Sequence, residues 1–373
     1  MEVLVVANIN LGENEGIYKK IVAEATALGQ ILGSAKAVLR RGNEAVYLEM
    51  PSGRIISRSE KSIYRFALEI VRSARCDILY VRHARPSVTL LNLLKAAAKG
   101  HTEAVIYEIP TYPYFAEQLR ASRAKHRAVA KIGIDIFFWP FIYRYVDHLF
   151  VVRSRRSTHR FRKMINIVNG VDTTVVRRRI PRPPDDIVRL AAVGTLYPYH
   201  GYDRVLRGLE RCRESADGRT VELHIIGRSA TIDDLRAESE VLGLNHVKFH
   251  GVRDSNELNQ MFDQYDLGLG CLALHRRNAD IDTTLKLAEY CCRGLPVLTS
   301  GESPLGPGAP ATLMVASSDE PLDIPALCRE LASVTPEQVD LLARRARTEL
   351  TWDAVFRDAL SRANLPIGPD RGW

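Results

Sequence analysis

The sequence predicts an α/β protein built from two parallel-sheet domains. Three observations carry that reading. Apolar strands alternate with amphipathic helical stretches from "EVLVVAN" onward, the alternation stops at the Arg- and Pro-rich segment "VVRRRIPRPPDD", and it restarts at "VRLAAVG". Strands separated by helices imply a parallel sheet covered on both faces. At 373 residues the chain is too long for one ordinary α/β core and fits two.

Each element follows from its own stretch. "EVLVVAN" is short and almost wholly apolar, as a strand buried on both faces must be, and it ends near "LGENEG" before a helix over 17–32. "EAVYLEM" is a second strand; a helix over about 60–74 leads into "DILYVRH". A helix across "SVTLLNLLKAAAKG" leads into "EAVIYEIP", and "HLFVV" and "INIVNG" close the first set. In the second set "VRLAAVG", "VELHIIG", "VKFHG", "DLGLGCL" and "LPVLTS" are strands with helical patterns between them. The expected division is a first domain over 1–172, a Pro- and Arg-rich linker over 173–188, a second domain over 189–345 and a segment over 346–373. The helix of that last segment, around "TWDAVFRDALSRANL", is expected to pack back toward the first domain. Open sheets of this kind bind ligands beyond the carboxyl ends of their strands, so a cleft between the two domains is the expected site.

Composition narrows the function. An apolar fraction of 46% and a charged fraction of 26% are those of a soluble globular chain, and no run approaches the ~18 to 20 apolar residues of a membrane span. The N-terminus has no basic region before its first apolar strand, so the expected location is cytoplasmic, with peripheral attachment to the inner face of the cell membrane as a further expectation. Cys76, Cys212, Cys271, Cys291, Cys292 and Cys328 show no C-x-x-C or Cys/His ligand spacing, which reads as reduced packing residues and no metal. The net charge is +8, and between Arg120 and Lys163 twelve Lys or Arg face two acidic residues, with "RRRIPR" following at 177–182. An anionic partner would match this excess. With no recognition helix, RNP-type sequence or zinc module, a membrane surface or a phosphorylated substrate fits better than nucleic acid, and a solvated Arg-rich face is the plain alternative. The segment "IFFWPFIYRYV", residues 136–146, is aromatic, interrupted by Pro140 and flanked by "RASRAKHR" and "RSRR". It suits either a surface that dips into lipid headgroups or a core helix under a basic rim.

The stretch "IDTTLKLAEYCCRGLPVLTSG", residues 281–301, carries the chemistry. Leu285, Leu287, Ala288 and Cys291 form an apolar stripe at helical spacing, Gly294 can end the helix and Pro296 opens a buried strand. Asp282 or Thr283 is the expected N-cap, which puts Lys286 in or near the first turn, where the helix dipole disfavours a cation unless an anion is bound there. Glu289 stands one turn on and could accept hydrogen bonds from sugar hydroxyls. A solvated Lys286/Glu289 pair is the plain alternative. The aspartates of "DID" at 280–282 read as caps, not as a metal motif.

With these residues in hand, "INIVNGVD", "VGTLYPYHGYDRVLRGL", "LHIIGRS", "VKFHG" and "LKLAEYCCRGLPVLTSG" resemble the C-terminal domain of bacterial group 1 (family 4) glycosyltransferases of the GT-B fold. "NEGIYKKI", "LYVRHA" and "YEIPTYPYFAE" are similar to a branch associated with capsule and exopolysaccharide assembly. The resemblance implies two Rossmann-like domains facing a central cleft. It also implies retaining, metal-independent hexosyl transfer from a nucleotide-diphosphate sugar, as co-substrate and with no cofactor, to a saccharide or polyisoprenyl-diphosphate-linked acceptor. Glu289 matches the second glutamate of the Glu-x7-Glu motif and would bind the donor ribose, with Lys286 on the diphosphate. The first glutamate falls at Ile281, a departure. Where relatives carry a basic pair this chain has Thr195 and His200, then Gly201; His200 is taken as a substitute donor contact and Arg276 as a second cation. Transfer builds negative charge on the departing diphosphate, which fixed cations and N–H groups must stabilise.

Gly16 at the first β-to-α turn would let backbone approach the donor phosphates. On the acceptor side Glu108 lies at a strand end, Tyr112 and Tyr114 can stack on sugar rings, and Arg82 and His83 end "LYVRH". A rigid loop with a buried Glu108 is the plain alternative. Two other functions remain open: a nucleotide-sugar epimerase of the same architecture, and a non-catalytic nucleotide-sugar binder, the latter motivated by Ile281, Thr195 and His200.

Overall fold

The computed structural model describes residues 1–9, 16–74, 76–114, 125–156, 161–212 and 218–368. The chain divides into two compact units, one of Met1–Arg153, Ser157–Val168 and Trp352–Trp373, the other of Ser154–Arg156 and Asn169–Thr351.

The first unit is an eight-stranded sheet in the order β4-β3-β2-β1-β5-β6-β7-β8. Its strands are β1 (Glu2–Ala7), β2 (Ser34–Arg41), β3 (Glu44–Met50), β4 (Arg54–Ser59), β5 (Ile78–Arg82), β6 (Ala104–Tyr112), β7 (His148–Arg153) and β8 (Met164–Ile167). β1 and β5 are buried along nearly their whole length, which is why their sequences are continuous apolar runs. β1, β2 and β5 to β8 pair in parallel, but β2–β3 and β3–β4 are antiparallel. The sequence reading missed β2 and β4 and expected a purely parallel sheet. β4, "RIISRS", is exposed along its length and polar at most positions, so it carries no burial signal. Helices α1 (Gly16–Leu32), α2 (Ile63–Ser73), α3 (Val88–Lys99) and α4 (Lys125–Tyr145) belong to this unit. The last helix, Trp352–Arg362, packs on α1 and β8 and so completes the first unit.

At the carboxyl ends of β5 and β6, charge is buried where the sequence suggested acceptor contacts. Glu108 is 0% exposed and accepts from Arg82 Nη1 at 2.5 Å and from Lys20 Nζ at 3.2 Å; Glu24 stands 3.3 Å from Lys20 and 3.6 Å from Arg82. Lys20 also lies 5.3 Å over the Trp352 ring. Arg82 and Glu108 are thus neutralised inside the unit and do not present themselves to a substrate, so the plain structural reading of Glu108 prevails. A carboxylate at a strand end between two apolar neighbours gave no sequence signal of two cations waiting for it.

The second unit is a six-stranded parallel sheet in the order β11-β10-β9-β12-β13-β14. It uses β9 (Ile187–Val193), β10 (Thr220–Ile226), β11 (Val247–Phe249), β12 (Leu267–Leu269), β13 (Val297–Thr299) and β14 (Thr312–Met314). Helices α5 (Tyr202–Arg211), α6 (Ala230–Val241), α7 (Ser255–Met261), α8 (Leu285–Arg293), α9 (Ile324–Ala332) and α10 (Pro336–Glu349) accompany it, and Trp352–Arg362 is α11. The stretch read as a linker is tied along this unit. Arg177 pairs with Asp263, Arg178 with Asp340 and Arg182 with Asp266, while Arg179 donates to the carbonyls of Gly294 and Tyr265. Four arginines of "RRRIPR" therefore bond within the unit, which removes them from the charge available to a partner.

Burial and the Glu108 charge beside it push the Glu24 carboxyl up from 4.5 to about 7, against the pull of Lys20 and Arg82. Between those pH values the native chain holds a proton the unfolded chain has released, so this group's contribution to stability is full below 4.5 and is lost as pH rises through about 7. Glu24→Gln is expected to flatten that slope; urea unfolding across pH 4 to 8 checks it, with ~pH steps fine enough to resolve one titration. An unchanged slope would contradict the assignment.

Candidate functional site

The second unit gathers its chemistry at the carboxyl ends of β9, β12 and β13. β9 ends at Val193, and Gly194 donates its N–H to Ile226 O at 2.9 Å, drawing the loops after β9 and β10 together. The approach is so close that a Cβ on Gly227, which has φ +137, would sit 2.2 Å from Gly194 O. Thr195 is exposed in this loop. A 3-10 turn over Pro198–His200 then leads to Gly201, whose φ of +70 starts α5 and whose absent Cβ lets Ala273 pack against it.

His200 is buried. Its Nδ1 lies 2.8 Å from Tyr197 N and 3.1 Å from Tyr197 O, which ties the ring to the turn. Burial and the Lys286 charge hold its pKa well below 6.5, so it is a neutral imidazole near pH 7 and not the cation that replaced a basic pair. Its fixed role is to close the turn that aims α5.

Lys286 is the second residue of α8, behind the N-cap Thr284. The cap differs from the expected Asp282 or Thr283. Asp282 stands two residues earlier, fully buried, and its carboxylate accepts from Cys271 N at 2.7 Å, Thr299 Oγ1 at 3.0 Å, Thr284 N at 3.1 Å and Thr284 Oγ1 at 2.7 Å. With both oxygens satisfied, Asp282 fixes the loop and has nothing left for a ligand. Thr284 makes no side-chain cap, so the first-turn N–H groups of α8 have no such acceptor. Ile281, where the resemblance calls for a carboxylate, forms a bridge with Glu302 and donates its N–H to Ser154 O.

The Lys286 ammonium is 9% exposed and donates to Tyr202 Oη at 3.4 Å, with the Tyr202 ring 5.4 Å beneath it. Among the described residues no carboxylate lies within ion-pair distance of it. Burial therefore wins over the more distant Asp282 and pulls its pKa down from 10.5 to about 8. A buried cation without a counter-ion is an unstable arrangement that an anion would relieve. Glu289, one turn on, is partly exposed and meets Arg293 Nη2 at 3.4 Å through Oε1.

The second cation is not the expected one. Arg276 is clamped by Asp203 at 2.7 and 2.8 Å and by Asp319 at 2.7 Å, and donates to Pro198 O, so its charge is already matched. Arg277 instead turns inward, 4.8 Å over the Tyr199 ring and near Thr283, and its charge bears on both His200 and Cys271. In "ALHRR" the two arginines are indistinguishable by sequence; the 3-10 turn that carries both ends at Asn278 in the left-handed region.

In the first unit Gly16 opens α1, is exposed and has nothing within 4 Å of where a Cβ would stand, so no close backbone approach requires a glycine there. Tyr112 and Tyr114 are half-buried. Tyr114 Oη donates to Asp135 at 3.2 Å and its ring lies 5.0 Å from His83, whose Nδ1 meets Tyr107 Oη at 2.9 Å. The sequence reading missed Asp135.

Residues 188–332 match the family model described as Glycosyl transferases group 1. No curated protein matches the chain. Among solved structures, Anabaena HepE in complex with UDP is similar at TM-score 0.64 and 14% identity, over 98% of this chain and 100% of that one. Sucrose-phosphate synthase from Thermosynechococcus elongatus gives TM-score 0.66 and 14% identity over 97% of each chain. A glycosyltransferase from Rickettsia africae gives TM-score 0.62 and 11% identity over 97% and 98%. The fold is GT-B, with two Rossmann-like units, and the unit that holds Lys286 is the one matched by the glycosyltransferase group 1 family model.

Lys286→Met removes the buried charge. The variant is expected to be more stable than the parent near neutral pH by on the order of 1 to 3 kcal/mol. The difference should shrink between pH 8 and 10.5, where the native parent has lost a proton that its unfolded chain keeps and the parent gains stability as pH rises. Urea melts across this window check it; a variant less stable at every pH would show that Lys286 is satisfied internally.

Proposed function

We propose that this chain transfers a glycosyl group from a nucleoside-diphosphate sugar to a hydroxyl of a saccharide or lipid-linked acceptor. The observation that carries this reading is the buried ammonium of Lys286 beside first-turn N–H groups that no side chain caps, within the segment that matches the group 1 family. That constellation suits a phosphate-borne anion. UDP and UDP-glucose, named in the HepE complexes, supply the ligand class by analogy.

In this reading Lys286 and the α8 N–H groups receive the diphosphate, and Arg277 adds a second positive charge near it. As the anomeric C–O bond breaks, the leaving diphosphate gains negative charge, and these groups are already in place to stabilise it. Glu289 would take the ribose hydroxyls through the oxygen that Arg293 does not hold. Retention at the anomeric carbon, transfer without a metal ion, cell-surface polysaccharide as the pathway and contact with an anionic membrane all belong to the proposal. A non-catalytic binder of nucleotide sugars is favoured by one observation: Ile281 holds a backbone bridge where the related motif has a carboxylate.

The test is a thermal-shift screen of UDP, GDP, dTDP, ADP and their sugars. A nucleotide at a hundred times its dissociation constant should stabilise by about 2.7 kcal/mol. Lys286→Met should abolish the effect and Glu289→Ala weaken it, whereas stabilisation that survives Lys286→Met would contradict the site. With donor and acceptor saccharides supplied, turnover is expected to persist in EDTA; loss on chelation and recovery with Mg2+ would overturn the metal-independent part. Donor binding without any turnover would favour the non-catalytic reading.

A further inference from the structure

Helix α4 divides its side chains cleanly. Asp135, Phe138, Trp139, Ile142 and Tyr143 recur at helical spacing and pack toward the core of the first unit, with Ile142 1% exposed and Trp139 and Tyr143 against Phe161. The opposite stripe has large apolar side chains in the open: Val129 is 59% exposed, Ile136 59%, Phe137 65% and Phe141 46%, with Gly133 and Pro140 exposed between them. The ring of Phe137 meets that of Phe141 at 5.9 Å, so the stripe is continuous. Lys125, Arg127 and Arg144 are exposed along the same helix, whereas the charge of Lys131 bears on the inward Asp135 and on His83. The helix carries a single carboxylate, Asp135, and that one faces inward under Tyr114. Neither alternative in the sequence thus holds whole: half of "IFFWPFIYRYV" is core and half is surface.

We propose that this outer face of α4 docks on an anionic lipid surface, with Ile136, Phe137 and Phe141 entering the headgroup region and Lys125, Arg127 and Arg144 meeting lipid phosphates. Charge decides between occupants. A second copy of this chain would bring the same three cations against these three, with no exposed carboxylate on the helix to pair them, whereas an anionic bilayer accepts both the cations and the aromatic stripe. A span is not in question, since among the described residues no helix is long and apolar enough to cross a membrane. The docking specifies the membrane contact of the proposed transferase and rests on that reading only for its purpose, because the contact itself needs no nucleotide.

The test is co-flotation of the full chain with phosphatidylcholine vesicles and with vesicles that also contain phosphatidylglycerol, at low and high salt. Flotation is expected with the anionic vesicles, to fall with salt, and to be absent with the neutral ones. Phe137→Asp combined with Phe141→Asp should lower binding by roughly tenfold or more, and Lys125→Glu or Arg144→Glu by roughly fivefold each. All these side chains are exposed, and thermal midpoints unchanged from the wild type show that the variants fold. Equal flotation of wild type and the Phe variant, salt-insensitive binding to both vesicles, or no flotation at all would overturn the docking. So would concentration-dependent dimerisation that Phe137→Asp abolishes, since the face would then be covered by a second copy. Loss of nucleotide binding in the wild type would sink the transferase reading and leave this one standing.

Discussion

The second unit is organised around a positive charge held out of water. The Lys286 ammonium rests on a phenol, not on a carboxylate, at the start of a helix whose first N–H groups have no side-chain cap. Everything near it serves to keep that charge in place without cancelling it. Asp282, whose charge reaches Lys286 only from beyond ion-pair distance, spends both oxygens on backbone N–H groups and hydroxyls. Tyr202 donates its own proton to Leu269 O at 2.5 Å and so offers Lys286 an acceptor. His200 is kept neutral, and Gly201 and Gly227 let three loops crowd into the same space. A fold that selected for stability alone would have paired or removed this lysine.

The first unit solves the opposite problem. Lys20, Glu24, Arg82 and Glu108 are as buried as Lys286, but they come as two cations and two carboxyl groups that face one another at 2.5 to 3.6 Å. That network binds α1 to the ends of β5 and β6, while Trp352 of α11 covers Lys20. Balanced burial holds a structure together; unbalanced burial waits for a ligand. The contrast between the two clusters, more than either alone, supports placing the anion site in the second unit.

Much of the fold was legible because parallel strands buried on both faces must be apolar and short, and their helices must be amphipathic. β1, β5, β9 and β10 announce themselves in this way, and the restart after "RRRIPRPPDD" marks the second sheet. β2 and β4 were not legible, since "SAKAVLRR" begins with alternating small and polar residues and "RIISRS" is solvent-exposed. In the second unit, the places of Lys286 and Glu289 one turn apart near the start of α8 were readable from helical spacing alone. The rest depended on long-range pairing. Sequence cannot show that Asp203 and Asp319 neutralise Arg276 and leave Arg277 to turn inward, that burial and the Lys286 charge keep His200 neutral, or that Lys20 and Glu24 absorb Arg82 and Glu108. Each of these is decided by a partner dozens of residues away.

The central claim is that Lys286 is a buried ammonium awaiting an anion. The most direct measurement is the titration of its ε-carbon signal by NMR in lysine-labelled protein, assigned by Lys286→Met, without and then with saturating UDP. The structure predicts a midpoint at about 8 in the free protein and a clear upward move on UDP, because a phosphate charge beside the ammonium favours its protonated form. A free-protein midpoint near the ordinary 10.5 that UDP leaves in place would contradict the account.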